Sequence, residues 1–224
     1  MRLFLLFILT FCSLNCSGQT YSESTNYPGE MHSEEILIVY ISRTNNTRAV
    51  AEMIHERVGG KLVKLALETP YPKEYDAIVA QVAKENEENI LPPLKTKISL
   101  KGYKTIFVGF PTWGMQLPPP MKTFLSENDF DAKSVIPFNT NAGFGIGSSF
   151  ETVKRLCPNS EVLKGFSTQG GIERDGILYV MEGEKEVEVR KAVNQWLESL
   201  QIFSSVSFLY ENKAQGKSHG KVSF

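Results

Sequence analysis

The sequence predicts an α/β domain built on a parallel sheet, and three observations predict it. Ile36–Ile41 (ILIVYI) is an unbroken apolar run rich in β-branched residues, as expected of a strand covered on both faces. Thr105–Phe110 (TIFVGF) has the same character. Between and after such runs, apolar residues recur at steps of three and four, so strands alternate with helices. That alternation implies right-handed crossovers and helices on both sides of the sheet.

The elements follow in order. After the first strand, Val50, Met53, Ile54 and Val58 mark a helix that Gly59-Gly60 ends. Lys61–Leu67 is the second strand, and Glu68–Pro72 is a rigid turn. A polar helix over Tyr75–Asn89 carries Ile78, Val79 and Val82 as its inner face and stops at Pro92-Pro93. The third strand, Thr105–Phe110, leads into loop 111–117. Pro118–Pro120 then open a helix through Leu125, since proline fits a first helical turn. Ser134–Thr140 is the fourth strand, in which Pro137 conflicts with a central position because it removes a ladder donor. A glycine-rich loop, 141–148, and a helix to Leu156 follow. Glu161–Ser167 is the fifth strand. Gly170-Gly171 and Asp175-Gly176 are turn signals around the short run Ile177–Met181, which predicts a hairpin-like excursion. Glu184–Leu200 is the last helix, with Val187, Val189, Val193, Trp196, Leu197 and Leu200 available to pack. The domain so defined spans 35–202, with an unassigned tail at 203–224, where Val206–Tyr210 is a weak edge-strand candidate.

The N-terminus reads as a targeting segment. Arg2 precedes nine largely apolar residues, Leu3–Phe11, too few to span a bilayer and suited to a secretory signal over 1–18. Two processing routes remain open. Cleavage near Gly18 releases a soluble protein, whereas Ser13-Leu14-Asn15-Cys16 resembles a loose lipobox that would make Cys16 a lipid anchor. Residues 19–34 are polar and aperiodic, a tether.

Composition narrows the function. At 42% hydrophobic and 22% charged residues, the 224-residue chain is globular. A net charge of −1 and the lack of a basic run give nucleic acid no footprint. Of the three cysteines, Cys12 and Cys16 fall in the leader. Cys157 is then the single one in the domain, which excludes a disulfide scaffold and any Cys-rich metal site. His32, His55 and His219 occupy tether, helix flank and tail, and none is expected to be catalytic.

The chemistry gathers in three loops, after strands one, three and four. In open parallel sheets, ligands bind at the carboxyl ends of strands, at the switch point of strand order. An order of 2-1-3-4-5 makes these loops neighbours. The first, Ser42-Arg43-Thr44-Asn45-Asn46-Thr47, stands between strand and helix, where unpaired N–H groups and the helix dipole favour a phosphate. Its plain alternative is a helix cap, which Ser, Thr and Asn form routinely. The second loop offers Trp113 for stacking on a flat ring. The third is glycine-rich, so its backbone and N–H groups can approach a ring closely.

In these three blocks the chain resembles the flavodoxin family. Ser42–Thr47 matches the family's S-x-T-G-N-T phosphate loop, with Asn45 for the glycine; GFPTWGMQLPPPMKTFL and NTNAGFGIGSS resemble its second and third flavin loops. The resemblance runs from about Glu35 to Leu200. It implies a flavodoxin-like three-layer sandwich with a five-stranded parallel sheet of order 2-1-3-4-5. It also implies FMN as cofactor, its phosphate on Ser42, Arg43, Thr44, Asn45, Asn46 and Thr47. The ring would lie against Pro111, Thr112, Trp113 and Gly114 on one side and Asn141, Ala142, Gly143, Phe144 and Gly145 on the other. Asn45 tolerates a left-handed backbone, so the loop can survive the substitution. Gly114 stands where relatives often carry a second aromatic, which leaves one ring face open or covered by Phe144.

The resemblance further implies a redox protein that passes electrons through the flavin to or from a partner protein or a small acceptor such as a quinone. No acid or base of the chain is then required. Family shuttles are usually strongly acidic. Here the charge of −1 becomes only −2 once Arg2 leaves with the signal, which is weak steering and tilts the reading toward a general oxidoreductase. The competing expectation is an exported binding or anchoring module that kept the fold without redox activity.

Overall fold

The computed structural model describes residues 32–200. The signal segment, most of the tether and the tail from 201 onward, including Val206–Tyr210, lie outside them. Strands β1 (Ile36–Tyr40), β2 (Lys61–Lys64), β3 (Thr105–Pro111), β4 (Ser134–Asn141), β5 (Glu161–Val162) and β6 (Phe166–Gln169) form one sheet. Its order is β2-β1-β3-β4-β5, all parallel, with β6 also paired to β4. Helices α1 (Asn46–Val58), α2 (Tyr75–Glu87), α3 (Pro119–Glu127), α4 (Ser149–Leu156) and α5 (Gly183–Ser199) complete it.

Alternation along β1 divides the core. Ile36, Ile38 and Tyr40 point to the face covered by α1 and α5, where Met53, Ile54, Val193, Trp196 and Leu197 meet Phe107 and Phe138. Leu37, Val39 and Ile41 point to the opposite face, with Val108, Phe110, Met121, Phe124 and Val153. Burying one such side chain is worth about 1.5–3 kcal/mol, so two filled faces are the main source of stability. Gly109 serves this packing directly: a Cβ there would lie 2.0 Å from the Phe138 ring.

The fifth sheet position differs from the expected single strand. It is split into β5 and β6, and Pro137 explains the split. The carbonyls of Lys133 and Val135 face this edge, accepting from Glu161 N and Leu163 N. With a period of two, Pro137 faces it as well, and it has no N–H to give. The ladder breaks there, and Gly165 passes so close that its Cβ would come within 2.9 Å of the Pro137 carbonyl. The conflict noted in the sequence is thus resolved by a gap in the neighbouring strand.

Two helix faces also differ from expectation. Val187 on α5 is exposed, and its neighbours Val189 and Val193 carry the packing. On α2, Ile78 and Val82 are buried but Val79 is 48% exposed. This helix leans on α3 rather than lying flat on the sheet. The predicted excursion after β6 is a short turn of 3-10 helix, Glu173–Asp175, closed by one antiparallel bridge between Ile172 and Ile177.

Cys157 lies in the core beside α4, and burial pushes its thiol up to about 11 from an ordinary 9.0. A folded-state pKa raised in this way stabilises the fold below pH 9.0, and that contribution is lost as pH rises toward about 11. Urea midpoints of wild type and Cys157→Ala should therefore converge across that window; a constant gap would place the thiol in water.

Candidate functional site

The turn from β1 into α1 is made by Asn45, whose backbone is left-handed (φ 66°, ψ −2°). Asparagine takes this conformation more readily than most residues, which is how the loop accommodates it where the family motif has glycine. The consequence is a row of unpaired donors. Among the described residues, no carbonyl accepts from the N–H groups of Thr44, Asn45, Asn46, Thr47 or Arg48; the first helical bond is Ala49 N to Asn45 O, at 2.9 Å. Helix starts leave such groups free, and the dipole adds a positive potential.

The side chains of this loop divide into two kinds. Ser42 is buried and its hydroxyl has no protein partner among the described residues, while Thr44 Oγ1 accepts from Asn46 Nδ2 at 2.9 Å and keeps its own proton to donate. Arg43, Asn46 and Thr47 are committed elsewhere. The Arg43 guanidinium pairs with Glu173 (2.5 Å) and donates to the carbonyls of Pro72 (2.8 Å) and Lys73. Asn46 donates to Leu178 O (2.6 Å) and accepts from Val180 N (3.1 Å). The Thr47 hydroxyl meets that of Thr140 at 2.8 Å, both buried. These three side chains brace the loop, and the groups of the loop that keep no protein partner among the described residues are its backbone N–H groups and the Ser42 hydroxyl, with the Thr44 hydroxyl proton also uncommitted.

The second loop is a tight turn in which Trp113 N donates to Gln116 O (3.2 Å) and Gln116 N to Trp113 O (3.0 Å). Trp113 is half-buried, not fully exposed as its loop position implied, and Tyr71 stands edge-on to it at 5.5 Å and 82°. Burial and the neighbouring Glu85 carboxylate, which accepts from its hydroxyl, raise the Tyr71 pKa, so Tyr71 stays protonated.

The third loop is organised by carboxamides. Asn141 Oδ1 accepts from Gly143 N (2.9 Å) and Gly145 N (3.1 Å). Asn139, fully buried, donates to Phe110 O and Thr112 Oγ1, both at 3.0 Å, and accepts from Asn141 Nδ2 and Ser167 Oγ, both at 3.2 Å. Thr112 Oγ1 donates in turn to Gly145 O at 3.0 Å. The N–H groups of Gly143 and Gly145 are thus consumed within the loop and are not offered to a ring, as had been expected of them.

A cavity of about 500 Å³ opens where these elements meet. Ser42, Arg43, Thr44, Asn46, Thr47, Pro111, Thr112, Trp113, Gly114, Asn141 and Ala142 line it. Asn45, Gly143, Phe144 and Gly145 do not; Phe144 is 67% exposed and covers nothing. Sequence reasoning missed the rest of the lining: Thr140, Gln116, Gly170, Gly171 and Glu173, and a whole face of α2 from Tyr75 to Glu87. The polar triplet Asn139-Thr140-Asn141 ending an apolar strand was the available signal for the carboxamide network. Nothing local marked α2.

The donor set suits a phosphorylated ring compound: unpaired N–H groups and two hydroxyls at one end, a half-buried indole beside them. Arg43 is paired with Glu173, and Glu87 adds a second carboxylate to the lining, so the site carries no excess of positive charge. Farther along the cavity, Lys122 Nζ reaches Asn86 Oδ1 (2.8 Å) and Gln116 Oε1 (3.2 Å); burial, then the Arg155 guanidinium, hold its pKa below the ordinary lysine range.

Replacing Asn46 by Ala removes its bonds to Thr44, Leu178 and Val180. The segment after Gly170 should loosen at a cost of about 1–3 kcal/mol, seen as faster hydrogen exchange at the Val180 amide. Unchanged exchange there would mean that other contacts hold the segment.

Comparison with known proteins agrees with this geometry. The profile of a flavodoxin family matches residues 35–183. No curated protein matches the sequence. Among solved structures, a candidate flavoprotein from Bacteroides uniformis is 25% identical, with a TM-score of 0.60 over 75% of this chain and 99% of its own. A second, from Bacteroides eggerthii, is 25% identical with a TM-score of 0.59 over 75% and 98%. A flavoprotein from Lactobacillus acidophilus, solved in complex with FMN, shares the fold at 20% identity and a TM-score of 0.52, over 64% of this chain and 98% of its own. The three-loop arrangement, the strand order and the matched profile together make this chain a member of the flavodoxin family.

Proposed function

We propose that this protein binds FMN and exchanges electrons through it with a second molecule. The carrying observation is the row of unpaired N–H groups from Thr44 to Arg48, in which Thr44, Asn46 and Thr47 line the same cavity as Trp113. Ser42, Thr44 and those N–H groups hold the phosphate. Pro111, Thr112, Trp113 and Gly114 meet the ring on one side and Asn141 and Ala142 on the other. FMN supplies the redox chemistry; the chain binds it, orients it and keeps water from part of it. The half-buried Trp113, fixed by Tyr71, provides a rigid flat wall.

Two molecules could exchange electrons with such a site: a redox protein or a small acceptor. A side of the cavity formed by α2 remains open, with Val79 and Tyr75 exposed, and this favours a small molecule. Export, with Cys16 as a lipid anchor or with the leader removed, is part of the same proposal and rests on the composition of residues 1–18.

One observation favours the non-redox reading. Arg43, Asn46 and Thr47 have structural partners, so much of the motif would be kept for stability alone. Colour separates the two. Purified protein with flavin absorbance, releasing FMN by mass on denaturation, supports the redox reading; a colourless protein that ignores added FMN sinks it.

Within that reading, Ser42→Ala combined with Thr44→Val should weaken FMN binding, each lost charge-assisted bond being worth about 1.5–3 kcal/mol. Thr47→Val should instead lower the unfolding midpoint and leave affinity nearly intact. Fluorescence titration of the apoprotein checks both, and equal affinities in all variants would move the phosphate elsewhere.

A further inference from the structure

The face of α2 that lines the cavity belongs to none of the three flavin loops. Ile78, Val79, Val82 and Ala83 make it a flat apolar wall, and the exposure of Val79 and Tyr75 leaves it accessible to a diffusing molecule. At one end of the wall stand two carboxamides, Asn86 from α2 and Gln116 from the second loop. Both are held by Lys122 of α3, at 2.8 and 3.2 Å.

The chemistry of that contact sets the polarity of the site. An ammonium group can only donate. Both amides must therefore turn their oxygens to Lys122 and their NH₂ groups away from it. Neither NH₂ group has a protein acceptor among the described residues. The Asn86 Nδ2 sits 3.9 Å from where a Cβ of Gly114 would be, at the edge of the second loop. Two unspent donors thus border an apolar wall, with no acceptor offered beside them by the pair. A ligand matching this is flat, apolar in the middle, and carries acceptors only at its edge.

We propose that Asn86 and Gln116, oriented by Lys122, form a subsite for the carbonyl edge of a quinone-class molecule seated on the α2 wall. The inference rests on the FMN reading above and names the small molecule with which the bound flavin would exchange electrons. Lys122 is a positioning residue: it touches no ligand and acts through the two amides.

The probe is menadione, titrated into the full chain loaded with FMN and followed by perturbation of the flavin absorbance. Asn86→Leu and Gln116→Leu should each raise the menadione Kd about fivefold to tenfold, the value of one hydrogen bond. The FMN Kd, measured separately on apoprotein, should stay within twofold by the same scale. Lys122→Met should raise the menadione Kd as the amide variants do, and Lys122→Arg, which still donates to both oxygens, should restore it. A merely structural lysine would lower the thermal midpoint without this pattern of rescue. Menadione affinity unchanged in all variants overturns the proposal. So does an FMN Kd that rises in step, because the amides would then read the flavin edge. A wild-type protein that takes no FMN overturns the earlier reading instead; menadione binding to the flavin-free chain, then followed by quenching of tryptophan fluorescence because Trp113 lines the cavity, would keep the subsite if it responds to the variants, and loss of both ligands would remove it.

Discussion

The arrangement of the site depends on a buried carboxamide at the end of β4. Asn139 has no exposure to solvent, and its amide is satisfied on every side by Phe110, Thr112, Asn141 and Ser167. Leaving such a group unpaired inside a protein costs about 1–3 kcal/mol, so the four partners are held in place together or not at all. They come from β3, from the loop after it, from the last residue of β4 and from β6. A single side chain therefore sets how far the second and third loops stand apart, which is the width of the cavity. Asn141 continues the network outward and uses its oxygen to fold the glycine loop back on itself. The price is that the glycine N–H groups no longer face a ligand.

A second division of labour lies in the first loop. Strong side-chain donors are absorbed by tertiary contacts, and the weaker, fixed backbone groups are left for the ligand. Arg43 and Asn46 reach across to Glu173, Leu178 and Val180, so the turn after β6 is tied to the start of α1 at two points. This makes the donor row rigid. An anion then meets N–H groups that need no reorganisation, the condition under which backbone dipoles act most effectively. The site's only nearby cation in that loop is already balanced by Glu173, so selection for a phosphate comes from geometry rather than net charge.

Much of this was legible in the sequence, and the limits have physical causes. The strands announced themselves because a fully buried parallel strand has no polar positions, and Ile36–Ile41 and Thr105–Phe110 have almost none. The left-handed Asn45 was legible because so few residues tolerate that backbone. The roles of Arg43, Asn46 and Thr47 were not, since their partners lie between 29 and 134 residues away and no local pattern records them. The face of α2 was misread for a related reason. Periodicity shows which side of a helix is apolar, but not whether that side meets a sheet or a cavity. Pro137 lay between these cases: the conflict was visible, and its resolution needed the neighbouring strand.

The stand-off of α2 also bears on what kind of electron exchange the fold permits. A carrier that docks proteins needs only an exposed flavin edge and a surface charge of one sign to guide encounter. Here the chain is nearly neutral, and the region beside the second loop is not a surface but a recess, walled by an apolar helix. Apolar walls in water are costly unless something covers them, and a recess admits small molecules more readily than a protein face. The same helix is held against α3 by Lys122 through Asn86, and among the described residues that lysine bonds amide oxygens and no carboxylate. A half-buried ammonium satisfied only by amide oxygens is an expensive arrangement for stability alone. It becomes intelligible when its effect on the amides is counted, because it leaves both of them facing the recess as donors.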